Sequence, residues 1–140
     1  VKISKSVKFM LKEEEKFISK NFIKGKFEDF KNEINSLKTN LYKLKNKNKS
    51  IKGYGAPARL ATITNFADID KNLIDYVIDD SELKMNRFSP GKHIPIKSYS
   101  SEDELRHVLL FAYEYYESIK KKIKHKNVEF YKPVPFKKLS

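Results

Sequence analysis

Hydrophobic residues recur at helical spacing through the first third of the chain. Val7, Met10, Leu11, Phe17 and Ile18 predict a helix over residues 7–18, with charged side chains between them facing solvent. Gly25 interrupts the pattern and is expected to link this helix to the next. A heptad stripe then predicts a second helix of about 20 residues, through the positions Ile23, Phe27, Phe30, Ile34, Leu37, Leu41 and Leu44. Such a stripe either packs against the protein's own sheet or forms a homodimer through this N-terminal helix.

The remaining residues alternate between short apolar runs and helical patterns. The runs predict strands around Ile51 and over 73–78, 93–96, 108–112 and 128–131, and helices are predicted from Ala58 and over 113–123. Pro133 and Pro135 are expected to end strand pairing. Alternation of this kind predicts an α/β fold: a Rossmann-like, mostly parallel sheet with helices on both faces, preceded by the two N-terminal helices. We expect helices over residues 1–48 and a Rossmann-like domain over 49–140, together forming one compact unit.

A glycine-rich turn stands between the first predicted strand and its helix. Gly53, Gly55 and Ala58 match the G-x-G-x-x-G/A template, in which the backbone approaches a pyrophosphate and the helix N-terminus offers free N–H groups. Pro57 suits the first helical position, since that position needs no N–H. Asp79 follows the second strand at about the distance of a ribose-binding acid. The alternative is that Asp79, Asp80 and Ser81 simply form a strand-ending turn.

A loop over residues 82–92 follows, with few apolar anchors and a Pro90-Gly91 end. A loop at the carboxyl end of a strand is where α/β sheets bind ligands. Two of the three arginines, Arg59 and Arg87, lie in these motif regions, and arginine binds phosphate in a bidentate manner. His93 could orient a phosphate or act as a base, although a histidine satisfied by backbone groups is the commoner case.

The net charge of +12 first suggests a nucleic-acid partner. The excess, however, lies in the flanks: residues 1–52 carry +9 and residues 114–140 carry +5, whereas the centre over 53–113 carries −2. We therefore expect neither a nucleic-acid nor a membrane partner, because the chain also has no apolar run long enough to span a bilayer. The absence of cysteine agrees with a cytoplasmic protein. The histidines and acids show no metal-ligand spacing, and no catalytic triad can be assembled.

Three stretches together resemble a known family. They are Gly53-Tyr54-Gly55-Ala56-Pro57-Ala58-Arg59, then Asp75-Tyr76-Val77-Ile78-Asp79, then Arg87-Phe88-Ser89-Pro90-Gly91-Lys92-His93-Ile94-Pro95-Ile96. Their order and spacing resemble the C-terminal domain of S-adenosylmethionine-dependent C-methyltransferases, whose best understood members act on nucleotide-linked sugars. The similarity runs from about Val7 to the C-terminus. One position departs from the pattern, since Leu60-Ala61 stands where the family usually has a small residue and Asn.

The resemblance implies the substrate-binding side of a methyltransferase. A zinc module and a domain that binds S-adenosylmethionine would precede it, so that the fragment itself binds no cofactor and is not catalytic alone. It also implies that the heptad helix packs on its own domain. The residues implied to face a nucleotide-linked sugar or a related anion are Gly53, Tyr54, Gly55, Ala56, Arg59, Asp79, Arg87 and His93. A stand-alone nucleotide- or dinucleotide-binding module, and a helical dimerisation domain, are the alternatives.

Overall fold

The computed structural model describes residues 3–46 and 50–139, and these residues form two compact units. The first unit comprises Val1–Asn32 and the second Glu33–Ser140. The division falls inside the second helix, whereas the sequence predicted one compact unit with an internal boundary at 48/49. That predicted boundary lies outside the described residues.

The first unit contains one complete helix and the first part of a second. Helix α1 (Lys5–Ile18) begins at Ser4, whose Oγ accepts the Val7 N–H at 3.3 Å. Helix α2 (Lys20–Lys45) begins directly after Ser19, whose Oγ accepts the Phe22 N–H at 3.2 Å. The predicted linker at Gly25 is therefore wrong, because α2 runs through Gly25 and the helices part at Ser19. A serine N-cap stabilises a helix start by about 1 kcal/mol, and a helical glycine costs about the same, so the helix tolerates Gly25.

The burial of the heptad stripe differs between the two halves of α2. Ile34, Leu37 and Leu41, in the second unit, are almost completely buried. Ile23, in the first unit, is 53% exposed. The sequence periodicity is the same in both halves, so it does not by itself show which half of the stripe is buried.

The second unit contains a seven-stranded sheet. Its strands are β1 (Ile51–Tyr54), β2 (Val77–Ile78), β3 (Arg87–Phe88), β4 (Pro95–Lys97), β5 (His107–Leu110), β6 (Glu129–Lys132) and β7 (Lys137–Leu139). Their order is β3-β4-β2-β1-β5-β6-β7. The five inner strands are parallel, and β3 and β7 pair antiparallel at the two edges. The prediction of a mostly parallel α/β sheet is confirmed.

Helices connect two pairs of parallel strands, β1 with β2 and β5 with β6. Helix α3 (Ala58–Ala67) lies between β1 and β2, and a 3-10 turn (Tyr113–Tyr115) followed by α4 (Tyr116–Lys122) lies between β5 and β6. Ile119 of α4 belongs to a buried cluster with Tyr54, Val108 and Phe130 of the sheet. Helix α4 thus covers one face of the central strands.

Three local predictions need correction. The strand predicted over 73–78 contains only Val77–Ile78, because the N–H groups of Leu73 and Ile74 bond back to the Asp70 carbonyl in a turn. The loop over 82–92 contains β3. Pro133 and Pro135 do not end pairing: both lie in a turn, where a missing N–H costs no ladder bond, and β7 then returns along β6.

No helix among residues 3–46 and 50–139 combines the length and apolarity that a membrane span requires. The cytoplasmic location inferred from the absence of cysteine stays a prediction.

Candidate substrate site

The centre of the sheet is a topological switch point. Strand β1 pairs with β2 on one side and with β5 on the other, both in parallel. The connections that leave the carboxyl ends of β1 and β5 therefore diverge, and a crevice opens between them. The glycine-rich turn predicted from the sequence leaves β1 at this crevice.

The two glycines of the turn meet different steric demands. Gly55 has a φ of +83°, and a Cβ there would collide with Ala112 after β5, so both the conformation and the close approach require glycine. Gly53 lies in β1, donates its N–H to the Tyr76 carbonyl at 2.9 Å, and leaves room for Val77 and Phe111. Pro57 is the N-cap of α3, one position before the predicted place.

Asp79 lies at the carboxyl end of β2 and closes the glycine turn. Its buried carboxylate accepts the Ala56 N–H at 2.5 Å and the Ser81 N–H at 2.9 Å. The Lys84 Nζ lies 3.3 Å from the same carboxylate. The strand-ending turn considered from the sequence is therefore present, and Asp79 contacts the glycine loop itself.

Tyr54 and Asp80 form a second polar pair beside Asp79. The buried Tyr54 hydroxyl donates to Asp80 at 3.0 Å, and Lys122 of α4 lies 2.6 Å from the same carboxylate oxygen. Burial, together with the hydrogen bond to Asp80, raises the pKa of the Tyr54 phenol well above its usual value of 10.0. Tyr54 is thus a neutral hydrogen-bond donor to Asp80 at physiological pH.

A cavity of about 280 Å³ opens at these strand ends, and we call it the strand-end cavity. Its lining combines the two acids, Lys84, an exposed tyrosine and the glycine turn; the residues are Tyr54, Gly55, Ala56, Pro57, Asp79, Asp80, Lys84, Ala112, Tyr115 and Ile119. Carboxylates beside an aromatic ring suit a ligand that carries hydroxyl groups on a ring.

A second cavity of about 250 Å³ adjoins the first across Ala56, Pro57 and Lys84, and we call it the hairpin cavity. It is mostly apolar with two cations, and its lining is Ala56, Pro57, Ala58, Leu60, Ala61, Lys84, Arg87, Phe88, Pro90 and Ile96. The β3–β4 hairpin forms its outer wall.

The hairpin has a defined connection to α3. The buried Ser89 accepts the Ile94 N–H through its Oγ at 3.0 Å and donates its own N–H to the Ile94 carbonyl at 2.9 Å. Asn65 of α3 donates to the Pro90 carbonyl at 2.9 Å. Gly91 has a φ of +83° and passes so close to Asn65 that a Cβ would overlap its amide. These contacts join the hairpin to α3, and Arg87 and Phe88 line the hairpin cavity together with residues from the start of α3.

The eight predicted substrate residues divide into three groups. Tyr54, Gly55, Ala56 and Asp79 line the strand-end cavity, and Ala56 also lines the hairpin cavity with Arg87. Gly53, Arg59 and His93 line neither cavity. The predicted contacts of all eight residues to substrate stay predictions.

The three residues outside the cavities have other surroundings. The Arg59 guanidinium lies 2.5 Å from Glu114 and 4.6 Å from the centre of the Tyr113 ring. His93 is exposed in the β3–β4 turn with a φ of +51°, and its N–H donates to the Ser89 carbonyl at 3.1 Å. Gly53 is enclosed within β1.

Sequence reasoning missed three polar residues of the cavities: Asp80, Lys84 and Tyr115. Lys84 belongs to the loop over 82–92 that was predicted to lie near a ligand, and Asp80 adjoins Asp79. Tyr115 carried no signal, because it lay in a stretch predicted to be ordinary helix.

Within the part of the chain that the structure describes, no group of His, Asp and Glu side chains is arranged to hold a metal ion.

The chain matches a known protein family. The sequence model of the C-methyltransferase C-terminal domain matches residues 1–135, nearly the whole chain. No curated protein matches the chain. The glycine turn, the Asp79 strand end and the hairpin all lie inside the matched range. The chain therefore belongs to the C-methyltransferase C-terminal domain family.

Proposed function

We propose that this domain holds the methyl acceptor of a C-methyltransferase, that the acceptor is a nucleotide-linked sugar, and that the domain does not transfer the methyl group by itself. The observation that carries the proposal is the pair of adjoining cavities at the carboxyl ends of β1, β2 and β5. Ligands of open α/β sheets bind at this place. One cavity offers carboxylates for hydroxyl groups, and the other offers cations beside apolar surface.

The described residues around the cavities favour binding over proton transfer. Tyr54 is held neutral, Asp79 accepts two backbone N–H groups, and Asp80 accepts from Tyr54 and Lys122. Methyl transfer to carbon needs a carbanion or enolate in line with the methyl donor. A domain that grips the acceptor contributes to this reaction by positioning. We propose that S-adenosylmethionine and the general base belong to another part of the enzyme.

The surroundings of Asp79 count against a stand-alone dinucleotide-binding module. In that class the acidic residue binds the ribose, while the N–H groups of the glycine turn bind the pyrophosphate. Here Asp79 accepts the Ala56 N–H of the turn, so both groups are engaged with each other.

Calorimetric titration of the chain with dTDP, a dTDP-linked sugar, NAD and S-adenosylmethionine tests the proposal. We expect saturable binding of dTDP and tighter binding of the sugar nucleotide. Asp80→Asn should reduce the gain in affinity that the sugar provides about ten- to hundredfold, because a hydrogen bond to a charged group contributes about 1.5–3 kcal/mol. Glu102→Gln, an exposed acid away from both cavities, is the matched control.

Two results would contradict the proposal. Binding of S-adenosylmethionine or NAD in preference to dTDP would assign the cavities to another ligand. No heat with any of the four would show that this domain does not hold the nucleotide.

A second function, homodimerisation through the N-terminal helices, is favoured by the exposed apolar side chains of the first unit. Met10, Phe17 and Ile23 are between 53% and 60% exposed. We propose that sedimentation velocity will show a mass that rises with concentration, and that Ile23→Glu will abolish the rise. Lys24→Glu, at the next position of α2, is the control. A constant monomer mass would exclude this function.

A further inference from the structure

The glycine turn has little free capacity for an anion. The Gly55 N–H donates to the Ile78 carbonyl at 2.7 Å, and the Ala56 N–H donates to Asp79 at 2.5 Å. A phosphate at this turn would have to displace the Asp79 carboxylate or approach it as a second negative charge, which is unfavourable at short range. The Asp79 carboxylate therefore takes the Ala56 N–H that the fingerprint would offer to a diphosphate.

Arg59 is also engaged. It lies in the first turn of α3, but its guanidinium contacts Glu114 at 2.5 Å and lies over the Tyr113 ring. Binding a ligand phosphate would require Arg59 to give up this ion pair.

Arg87 differs from Arg59 both in its location and in its side-chain contacts. It lines the hairpin cavity, and among the described residues its guanidinium has neither an ion pair nor a side-chain hydrogen bond. Lys84 lines the same cavity, and its Nζ contacts Asp79 only at 3.3 Å with 42% of the side chain exposed. Two cationic residues thus line one mostly apolar cavity, and the exposed Arg87 has no side-chain partner among the described residues.

We propose that the hairpin cavity is the phosphate subsite of this domain, with Arg87 as the bidentate ligand and Lys84 as the second cation. The inference rests on the proposed function and moves the anion away from the α3 N-terminus. Phe88, Leu60 and Ile96 supply apolar surface for the group attached to the phosphate. Lys84 also lines the strand-end cavity, so a ligand that bridges the two cavities places its phosphate beside Lys84 and its hydroxyl groups beside Asp80.

The chemistry of the two cations supports this assignment. A guanidinium matches two phosphate oxygens in a planar fork, whereas an ammonium acts as a point charge that can turn from one partner to another. When Lys84 turns from Asp79 to a phosphate, Asp79 keeps its bonds to the Ala56 and Ser81 N–H groups. Binding at the hairpin cavity therefore leaves the glycine turn intact.

Titration of the ¹⁵N-labelled chain with inorganic pyrophosphate and, separately, with dTDP tests the inference. We expect chemical-shift changes at residues 84–88 with both probes. Arg87→Gln should weaken the binding of each probe about ten- to hundredfold, since hydrogen bonds to charged groups contribute about 1.5–3 kcal/mol. Arg87→Lys should recover part of the loss, because it restores the charge without the fork. Arg106→Gln, an exposed arginine that lines neither cavity, is the matched control and should bind as the unmodified chain does.

The outcomes separate the subsite from the proposed function. Shift changes centred on residues 55–59 with unchanged affinity in Arg87→Gln would overturn the subsite and leave nucleotide binding in place. Equal weakening by Arg87→Gln and Arg106→Gln, or no pyrophosphate binding, would also overturn it. Pyrophosphate binding that depends on Arg87, without any dTDP binding, would support the subsite and contradict the nucleotide proposal.

Discussion

The Asp79 carboxylate accepts the Ala56 backbone N–H at 2.5 Å and so joins the end of β2 to the glycine turn after β1. Its side chain is buried and also accepts the Ser81 N–H. We expect Asp79→Asn to lower the free energy of unfolding by about 1–3 kcal/mol, because an amide presents its NH₂ to one of these donors. Urea denaturation measures the loss.

The matched control is Asp29→Asn on α2, where an exposed carboxylate lies 3.6 Å from Lys26. Such pairs contribute at most about 0.5 kcal/mol. Equal effects of the two substitutions would show that Asp79 does not hold the turn.

Substitution of the glycines by alanine should change stability in opposite directions. Gly55→Ala requires a φ of +83° and a collision with Ala112, so we expect a loss of more than about 2 kcal/mol. Gly53→Ala would place a Cβ 2.8 Å from Val77 and should cost about 1–3 kcal/mol. Gly25→Ala lies within α2 with open space around it and should stabilise by about 0.5–1 kcal/mol. Thermal and urea unfolding of the three variants would contradict this reasoning if Gly25→Ala were the most harmful.

Glu129 should make stability depend on pH in the acid range. The hydrogen bonds from Lys138 and Tyr131 lower the pKa of its carboxyl from 4.5 to about 2. A carboxyl whose pKa is depressed on folding stabilises the fold above the unfolded pKa, and this contribution is lost as pH falls from 4.5 toward 2.

We therefore expect Glu129→Gln to lower stability at neutral pH and to flatten the decline in the free energy of unfolding over this range. Glu82→Gln, an exposed acid without an ion pair among the described residues, should leave the decline unchanged. The same slope in Glu129→Gln and in the unmodified chain would refute the assignment.

The two halves of the α2 stripe should respond differently to truncation. Leu37 is completely buried in the second unit, so Leu37→Ala should cost about 2–5 kcal/mol. Ile23 is 53% exposed in the first unit, and Ile23→Ala should cost less than about 1 kcal/mol in the monomer. Chemical denaturation followed by far-ultraviolet circular dichroism compares them. A large loss for Ile23→Ala at low protein concentration would show that this half is buried as well.

Much of the architecture could be predicted from local sequence, for physical reasons that individual residues illustrate. The apolar spacing of α2 and the run from Val108 to Leu110 identify element type, because period and length are local properties. Gly55 was recognised as a turn residue from the glycine spacing, and its φ of +83° gives the physical reason that the position needs glycine. The three-motif resemblance led to the family that the comparison with protein families then confirmed.

The short and edge elements could not be predicted in the same way. Strands β3 and β7 have two and three residues, and each exists because a neighbouring strand, β4 or β6, offers an antiparallel edge. Ser19 rather than Gly25 separates the first helices, since a capping hydrogen bond outweighed a glycine's weak preference.

The sequence by itself determined the α/β class, the glycine turn, the acid at the end of β2 and the loop that carries Lys84 and Arg87. Only the tertiary structure decided which of these charged groups pair with a partner and which one lines a cavity without a partner. Asp79 contacts the turn, Arg59 contacts Glu114, and Arg87 remains available at a cavity. The reason is that charges and hydrogen bonds act over a few ångströms between residues far apart in the chain, so their pairing depends on the fold and not on spacing.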